Sequence, residues 1–314
     1  MAPAFDTGLA LLVFGIAAWT ISARGAFAAV AGFVAYGLLL ALVWVRLAAP
    51  DVALTEAALG SGLTGGLLVA SSARLRSHSD SLPAGEEPGA TLRWAAAGLC
   101  VLVSAGLAAI VLLFPEPAPS LAPQAVANLA ATGLGNPVTA VLMAYRAIDT
   151  LLEVVVLLLA LIGIWSIAPG RLWGSFPGRL QSADRNSILA FVAQLVAPIG
   201  ILIGIHIFWV GSVAPGGEFQ GATILAAVGV LAVMAGLLEL PAIGSQWFRL
   251  LLVVGPAVFL TIGLAGFAIA GAFLAYPPDY AKLLIIAIEV PLTLSIAAML
   301  VLLVAGASER NLQR

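Results

Sequence analysis

The sequence predicts an all-α protein that crosses the membrane about nine times. Of its 314 residues, 62% are hydrophobic and only 9% are charged, whereas a soluble domain carries about 25% charged residues. Nine mostly apolar runs have about the 17–25 residues that a spanning helix requires. Polar or proline-rich stretches separate them. These observations together indicate that lipid solvates most of the protein surface.

The nine apolar runs group into three modules. Three runs lie within residues 1–73, two within 93–168 and four within 187–305. A charged break at residues 74–92 and a proline-rich break at residues 115–136 separate the modules, and both are expected outside the membrane. The predicted helices lie near residues 8–23, 26–46, 51–73, 93–114, 147–167, 187–209, 219–239, 248–274 and 281–305.

The basic residues predict how the chain is oriented. Ten of the thirteen Lys and Arg residues fall on one set of alternating loops, which includes Arg24, Arg74 and Arg249, and three fall on the other set. Positive residues concentrate on cytoplasmic loops. We therefore expect the N-terminus outside and the C-terminus in the cytoplasm. Trp44 and Trp209 lie near predicted helix ends, as an interfacial aromatic belt requires.

The composition excludes several classes of function. A net charge of −2 provides no basic surface for nucleic acid. The single cysteine, Cys100, cannot form an internal disulfide, and the sequence contains no CxxC motif or Cys/His cluster for zinc, iron–sulfur or haem. It also contains no nucleophile–base pair or phosphate-binding loop typical of an enzyme. We therefore expect a non-catalytic protein with no cofactor and no bound metal.

Nine polar residues fall within or at the edge of the predicted helices, nearly all in the outer half of the bilayer. They are Asp51 and Glu56 in helix three, Arg146, Asp149 and Glu153 in helix five, His206 in helix six, Glu218 and Gln220 in helix seven, and Glu289 in helix nine. Charges persist in a membrane where they face a bundle interior or water, so these residues are candidates for an ion pathway. For Asp51 and Glu218, the simpler explanation is a negative charge at an interfacial helix N-terminus.

The residues Arg146, Asp149 and Glu153 form a more specific pattern. Spacings of three and four residues place them on one helical face, where Arg146 can bridge both carboxylates. Such an arrangement would hold one carboxylate ionised while the other exchanges protons or binds a cation. The alternative is a helix-end ion pair that contributes little because it lies near water.

Two glycine-rich segments stand out. Four glycines between residues 60 and 66 favour close approach of a neighbouring helix or mark a point where the helix bends, and the sequence does not separate these explanations. The segment PGGEFQG at residues 215–221 combines a tight turn with a helix start that presents unpaired N–H groups. Gln220 adds an amide that both donates and accepts, which a plain turn does not require.

Three motifs resemble subunits of Mrp-type Na⁺/H⁺ antiporters. PDVALTEA at residues 50–57 resembles a helix in the C-terminal part of the large A subunit, and YRAIDTLLE at residues 145–153 resembles the module that ends that subunit. Residues 187–305 look like the four-helix B subunit, whose motif has a third glycine where Glu218 stands here. Ala147 and Leu152 also replace glycines of the family pattern. The same modules occur in membrane-bound hydrogenases and related ferredoxin-linked complexes.

The resemblance implies a subunit of a multisubunit cation/proton antiporter in the cytoplasmic membrane of a bacterium or archaeon. The implied partners are the lipid bilayer, Na⁺ and H⁺, and other membrane subunits, including proton-translocating antiporter-like ones. The family's large antiporter-like domain does not occur in this sequence, so the chain alone is not expected to exchange ions. Two alternatives stay open: the membrane arm of a redox-driven ion pump, and a purely structural scaffold.

Overall fold

A computed structural model of the chain describes residues 2–79, 89–115, 119–167, 176–177 and 187–307. Every regular element within these ranges is helical, which confirms the all-α fold class. In chain order, the helices are α1 (Ala2–Ser22), α2 (Ala26–Arg46), α3 (Pro50–Thr55), α4 (Thr64–Ser79), α5 (Ala90–Leu113), α6 (Ala122–Ala127), α7 (Leu129–Thr132), α8 (Pro137–Ala140), α9 (Ala147–Ser166), α10 (Ile188–Val210), α11 (Glu218–Met234), α12 (Gln246–Ile269) and α13 (Ala281–Ala305).

The described helices confirm a polytopic membrane protein. Eight spans are apolar and long enough to cross a bilayer, with α3 and α4 contributing to one of them. Helix α11, with 17 residues, is a further, shorter apolar helix. The short helices α6, α7 and α8 lie in or directly after the proline-rich break. Which terminus faces the cytoplasm stays a prediction.

The bounds of several helices differ from the prediction; α4, for example, continues to Ser79 instead of ending near residue 73. Helix α1 begins at Ala2 instead of near residue 8, so Asp6 lies within it. Arg46 compensates this charge, because its Nε donates to Asp6 Oδ1 at 2.8 Å and its Nη2 donates to Oδ2 at 3.0 Å. Helix α11 ends at Met234, since Gly236 adopts a left-handed conformation with a φ of 69° that terminates helices. Helix α12 also ends earlier than predicted.

The third span is not a continuous α-helix. Pro50 starts α3 at the first helical position, and the chain then passes through a π-helical segment at Glu56–Leu63 before α4 begins. At Gly65 a Cβ would collide with the side chain of Val34 on α2. Both explanations of the glycines therefore apply, because the span packs closely against α2 and is also irregular.

The packed core surrounds α13. This helix contacts α9, α11 and α12. Its fully buried Ile288 and Leu292 belong to one cluster with Val154 of α9, Ala226 of α11 and Phe259 of α12. In lipid, such packing is stabilised by van der Waals contact rather than by exclusion of water. The core thus holds the beginnings of α9, α11 and α13 in fixed relative positions.

Helix α5 differs from the other long helices. None of its residues is buried within the described part of the chain. Val111, Leu112 and Leu113 are among its most exposed apolar side chains. In a membrane these side chains face lipid or other proteins.

Candidate functional site

Asp51 connects the three modules. It follows Pro50 in the first turn of α3, where the helix N-terminus favours a negative charge. The residue is only 6% exposed, and its Oδ1 accepts hydrogen bonds from the Gly216 N–H at 3.0 Å and from Asn136 Nδ2 at 3.3 Å. An interfacial helix start therefore explains only part of the role of Asp51, because its carboxylate also binds groups from the other two modules.

The loop between α10 and α11 presents this backbone donor. Gly216 and Gly217 have φ values of 146° and 147°, which residues with a side chain rarely adopt. The Gly217 N–H donates to Ile207 O at 3.1 Å, and a side chain at Gly216 would collide with the same carbonyl. The two glycines thus fold the loop back onto α10 and leave the Gly216 N–H free to bind Asp51.

Further hydrogen bonds join residues of different modules. Gln220 Nε2 donates to Thr55 Oγ1 at 3.1 Å. Thr139 Oγ1 donates to the carbonyl of Gly211, at the end of α10, at 2.6 Å. Buried polar groups in proteins are usually paired in this way. We define the inter-module network as Asp51, Thr55, Asn136, Thr139, Gly216 and Gln220.

Three members of this network, Thr55, Asn136 and Thr139, were not predicted as site residues from the sequence. Asn136 Nδ2 donates to Ala214 O at 3.0 Å, and its Oδ1 accepts a backbone N–H from the first turn of α8 at 2.9 Å. Asparagine before Pro137 is a typical helix start, and this pattern was available in the sequence. The hydrogen-bond acceptors of Asn136 and Thr139 lie in other modules, and no sequence pattern indicated them.

Three glutamates, one each from α9, α11 and α13, lie close together. Glu218 and Glu289 are 5% and 2% exposed, and their carboxyl groups lie close enough to interact. Glu153 is exposed, but its carboxyl group is close enough to interact electrostatically with Glu218. Glu289 Oε1 is buried and has no hydrogen-bond partner among the described residues. We name these three residues the glutamate cluster.

The predicted triplet on α9 is divided between two environments. Arg146 Nε lies 2.6 Å from Asp149 Oδ2, and the two side chains are 71% and 48% exposed. This is the geometry of a helix-end ion pair at the surface of the chain. A π-helical segment, Val141–Tyr145, ends directly before Arg146, and α9 begins directly after it. Glu153 lies one turn further along and belongs to the glutamate cluster, so Arg146 contacts one of the two carboxylates it was expected to bridge.

Two candidates, Glu56 and His206, lie apart from both groups. Glu56 is half-buried, and its Oε1 lies beside Gly37 of α2 and Gly60 of the π-helical segment. Ser61 Oγ is also buried near Gly37, and nothing in the described ranges forms a hydrogen bond with it. His206 is exposed on α10. Within the described ranges, no three His, Cys, Asp or Glu side chains are arranged to hold a metal ion.

Comparison with known families finds similarity in the two segments that the Gly216–Asp51 hydrogen bond joins. Residues 188–308 match a domain related to the MnhB subunit of the Na⁺/H⁺ antiporter. Because of this similarity, we call this part of the chain the MnhB-related domain. Residues 11–77 match MbhD, the D subunit of MBH. The hydrogen bond from Gly216 to Asp51 therefore runs from the MnhB-related domain to the MbhD-like segment, and the resemblance noted in the sequence is confirmed.

Solved structures share the fold of the MnhB-related domain and the segments before it. The Mrp complex from Dietzia sp. DQ12-45-1b aligns with 98% of this chain at a TM-score of 0.71 and 24% identity, and the alignment covers 35% of that chain. The membrane-bound sulfane sulfur reductase (MBS), an archaeal respiratory membrane complex, aligns with 68% of this chain at a TM-score of 0.55 and 24% identity, covering 97% of that chain. At these identities the likeness establishes the fold.

A curated relative comes from Methanocaldococcus jannaschii. This uncharacterized protein MJ1307 is 29% identical over 154 residues, which make up 44% of the present chain. The aligned region spans 59% of the relative's length. The present chain therefore matches a little over half of this relative and about a third of the Mrp-complex chain.

Proposed function

We propose that the chain is a non-catalytic membrane subunit of a multisubunit cation/proton antiporter and that its buried polar groups line part of an ion pathway. The observation that carries the proposal is the burial of two carboxyl groups, Glu218 and Glu289, inside an otherwise apolar bundle. Intramembrane carboxyl groups are costly and typically serve ion or proton movement. The MnhB-related domain supports the antiporter class, since MnhB is a Na⁺/H⁺ antiporter subunit.

The inter-module network and the glutamate cluster have different roles in this proposal. The inter-module network holds the loop before α11 against α3, which places Glu218 beside Glu289. The glutamate cluster, with Asp149 and Arg146 at the beginning of α9, then lines the route of Na⁺ or H⁺. Following the basic-residue asymmetry, this end of the bundle faces outward from the cytoplasmic membrane of a prokaryotic cell. The proposed partners are other membrane subunits, including proton-translocating antiporter-like ones.

A second function has its own support. The MbhD match and the alignment with MBS favour a membrane arm in a redox-driven ion pump. In that case the same pathway would be powered by an oxidoreductase arm. The proteins that copurify with the chain separate the two functions, because redox subunits carry iron–sulfur cysteine motifs and bind iron.

The proposal is tested by Na⁺/H⁺ exchange in inverted membrane vesicles. We expect exchange from the assembled complex, none from the chain expressed alone, and none from an assembled complex that carries Glu289→Gln. Glu239→Gln is the matched control, because Glu239 is exposed in the connection between α11 and α12. Exchange by the isolated chain would contradict a subunit role. Normal exchange by the Glu289→Gln complex at every pH would leave the structural scaffold as the function.

A further inference from the structure

We propose that the π-helical segment Glu56–Leu63 and α2 form a binding site for a small monovalent cation such as Na⁺. In this site Glu56 supplies the negative charge and Ser61 supplies a hydroxyl ligand. The role of the site in transport rests on the proposed antiporter function. Cation binding itself follows from the geometry of the third span and does not depend on that function.

Ser61 presents a buried hydroxyl group without a partner. The residue lies at the centre of the third span and is only 3% exposed, and its Oγ forms no hydrogen bond within the described ranges. Thr55 Oγ1 on the same span donates to Asp51 O at 3.0 Å, as hydroxyls in helices commonly do. Ser72 Oγ likewise donates to Val69 O at 2.9 Å. A buried polar atom without a partner indicates a bound water, a bound ion or a functional role.

Glu56 brings a carboxylate to the same place. A Cβ on Gly37 of α2 would collide with Ser61 Oγ and would lie 3.2 Å from Glu56 Oε1, so both oxygens lie beside the Gly37 backbone. A Cβ on Gly60 would also collide with Glu56 Oε1. Ser61 Oγ nevertheless forms no hydrogen bond with the carboxylate. The two glycines thus leave space in which both oxygens can contact one ligand.

Glu56 has no counter-charge among the described neighbours. Helices α2, α3 and α11 pack against the π-helical segment and contain one basic residue, Arg46, which binds Asp6 at 2.8 Å. On α4 the basic residues begin at Arg74, about three turns beyond this segment. A carboxylate within a span is costly unless it is neutralised, and Glu56 is half-buried, so a cation can reach it. A proton would also neutralise Glu56, but it would leave the free Ser61 hydroxyl unexplained.

The ligand types favour an alkali cation over a divalent or transition metal. Carboxylate and hydroxyl oxygens are hard ligands, and the described ranges hold no group of three His, Cys, Asp or Glu side chains. One carboxylate balances one positive charge, so a monovalent cation leaves the buried site neutral. Backbone carbonyls at interruptions of membrane helices coordinate Na⁺ in transporters, and a π-helical segment is such an interruption.

The dependence of thermal stability on Na⁺ tests the site in the full chain in lipid nanodiscs, with choline chloride replacing NaCl at constant ionic strength. A ligand that binds only the folded state raises the midpoint of unfolding. We expect the midpoint to rise with Na⁺ concentration in the wild type and this rise to be lost in Glu56→Gln. Ser61→Ala and Gly37→Ala remove or displace one ligand, so each should require about tenfold more Na⁺. Gly66→Ala is the matched control, because a Cβ there meets no atom within 4 Å.

The outcomes separate the cation site from the proposed function. A wild-type midpoint that does not depend on Na⁺ overturns the site, as does an equal rise in the wild type and in Ser61→Ala. If Glu56→Gln does not fold, Ser61→Ala decides the question, because it removes one oxygen and keeps the charge. Na⁺ binding by the chain without Na⁺/H⁺ exchange by its assembled complex refutes the antiporter function and retains the site. Exchange by a complex whose chain does not bind Na⁺ refutes only the site.

Discussion

Replacing Asp51 by alanine is expected to weaken the joint between the MbhD-like segment and the MnhB-related domain. The change leaves the Gly216 N–H without its acceptor at 3.0 Å, whereas Asn136 loses a longer bond of 3.3 Å and keeps Ala214 O. A hydrogen bond to a charged group contributes about 1.5–3 kcal/mol, and an unsatisfied buried donor costs about 1–3 kcal/mol. Since one strong and one weak bond are lost, we expect a decrease of about 3 kcal/mol in the free energy of unfolding.

The matched variants separate the lost charge from the lost acceptor. Asp51→Asn keeps an acceptor oxygen and should cost only about 1 kcal/mol. Asp279→Ala removes an exposed carboxylate from the connection between α12 and α13, and such surface changes usually alter stability by less than about 0.5 kcal/mol. Thermal unfolding followed by tryptophan fluorescence should rank the variants in this order. An Asp51→Ala protein as stable as Asp279→Ala would refute the proposed joint.

Three further predictions concern topology, transport and ionisation. Ser79→Cys should be protected from impermeant thiol reagents added outside and Ser120→Cys should react; the reverse pattern would invert the orientation. Glu153→Gln should abolish ion transport by the assembled complex, while Asp149→Asn should reduce it less because Asp149 lies in an exposed ion pair; equal, wild-type rates would contradict a transport role. Burial raises the pKa of Tyr276 to about 12 from the usual value of about 10. Ultraviolet titration, with Tyr276→Phe as the control, should therefore show that Tyr276 ionises near pH 12. The free energy of unfolding should fall between pH 10 and 12, because only the unfolded state releases the Tyr276 proton in this range. Ionisation of Tyr276 near pH 10 would argue against its burial.

The spanning helices could be predicted because lipid imposes a strong, local constraint on sequence. Runs of about 20 apolar residues were sufficient to find them. The ends were less accurate where a tertiary contact changed the cost of a charge, as at Asp6, which Arg46 neutralises across two helices. The glycines between residues 60 and 66 indicated close packing or a bend in the third span, but they did not predict that Glu56–Leu63 is π-helical.

The sequence predicted which residues belong to the candidate site better than it predicted which of them lie together. Charged residues within apolar runs identified Glu153, Glu218 and Glu289 one by one. Periodicity along α9 grouped Glu153 with Arg146, because helical spacing reports only neighbours on the same helix. The structure instead pairs glutamates from different helices, whose proximity depends on how α9, α11 and α13 pack. Asn136 was missed for the same reason, since its partners are remote in sequence.

The exposure of α5 along its whole length affects how the chain tolerates mutation. A transmembrane helix whose backbone hydrogen bonds are internal is stable in lipid before it meets any neighbour. Because none of the residues in Ala90–Leu113 is buried in the described chain, exchanges among apolar residues there leave the core around α13 untouched. Within this chain, the packing therefore constrains the hydropathy and length of α5 but not the shapes of its side chains.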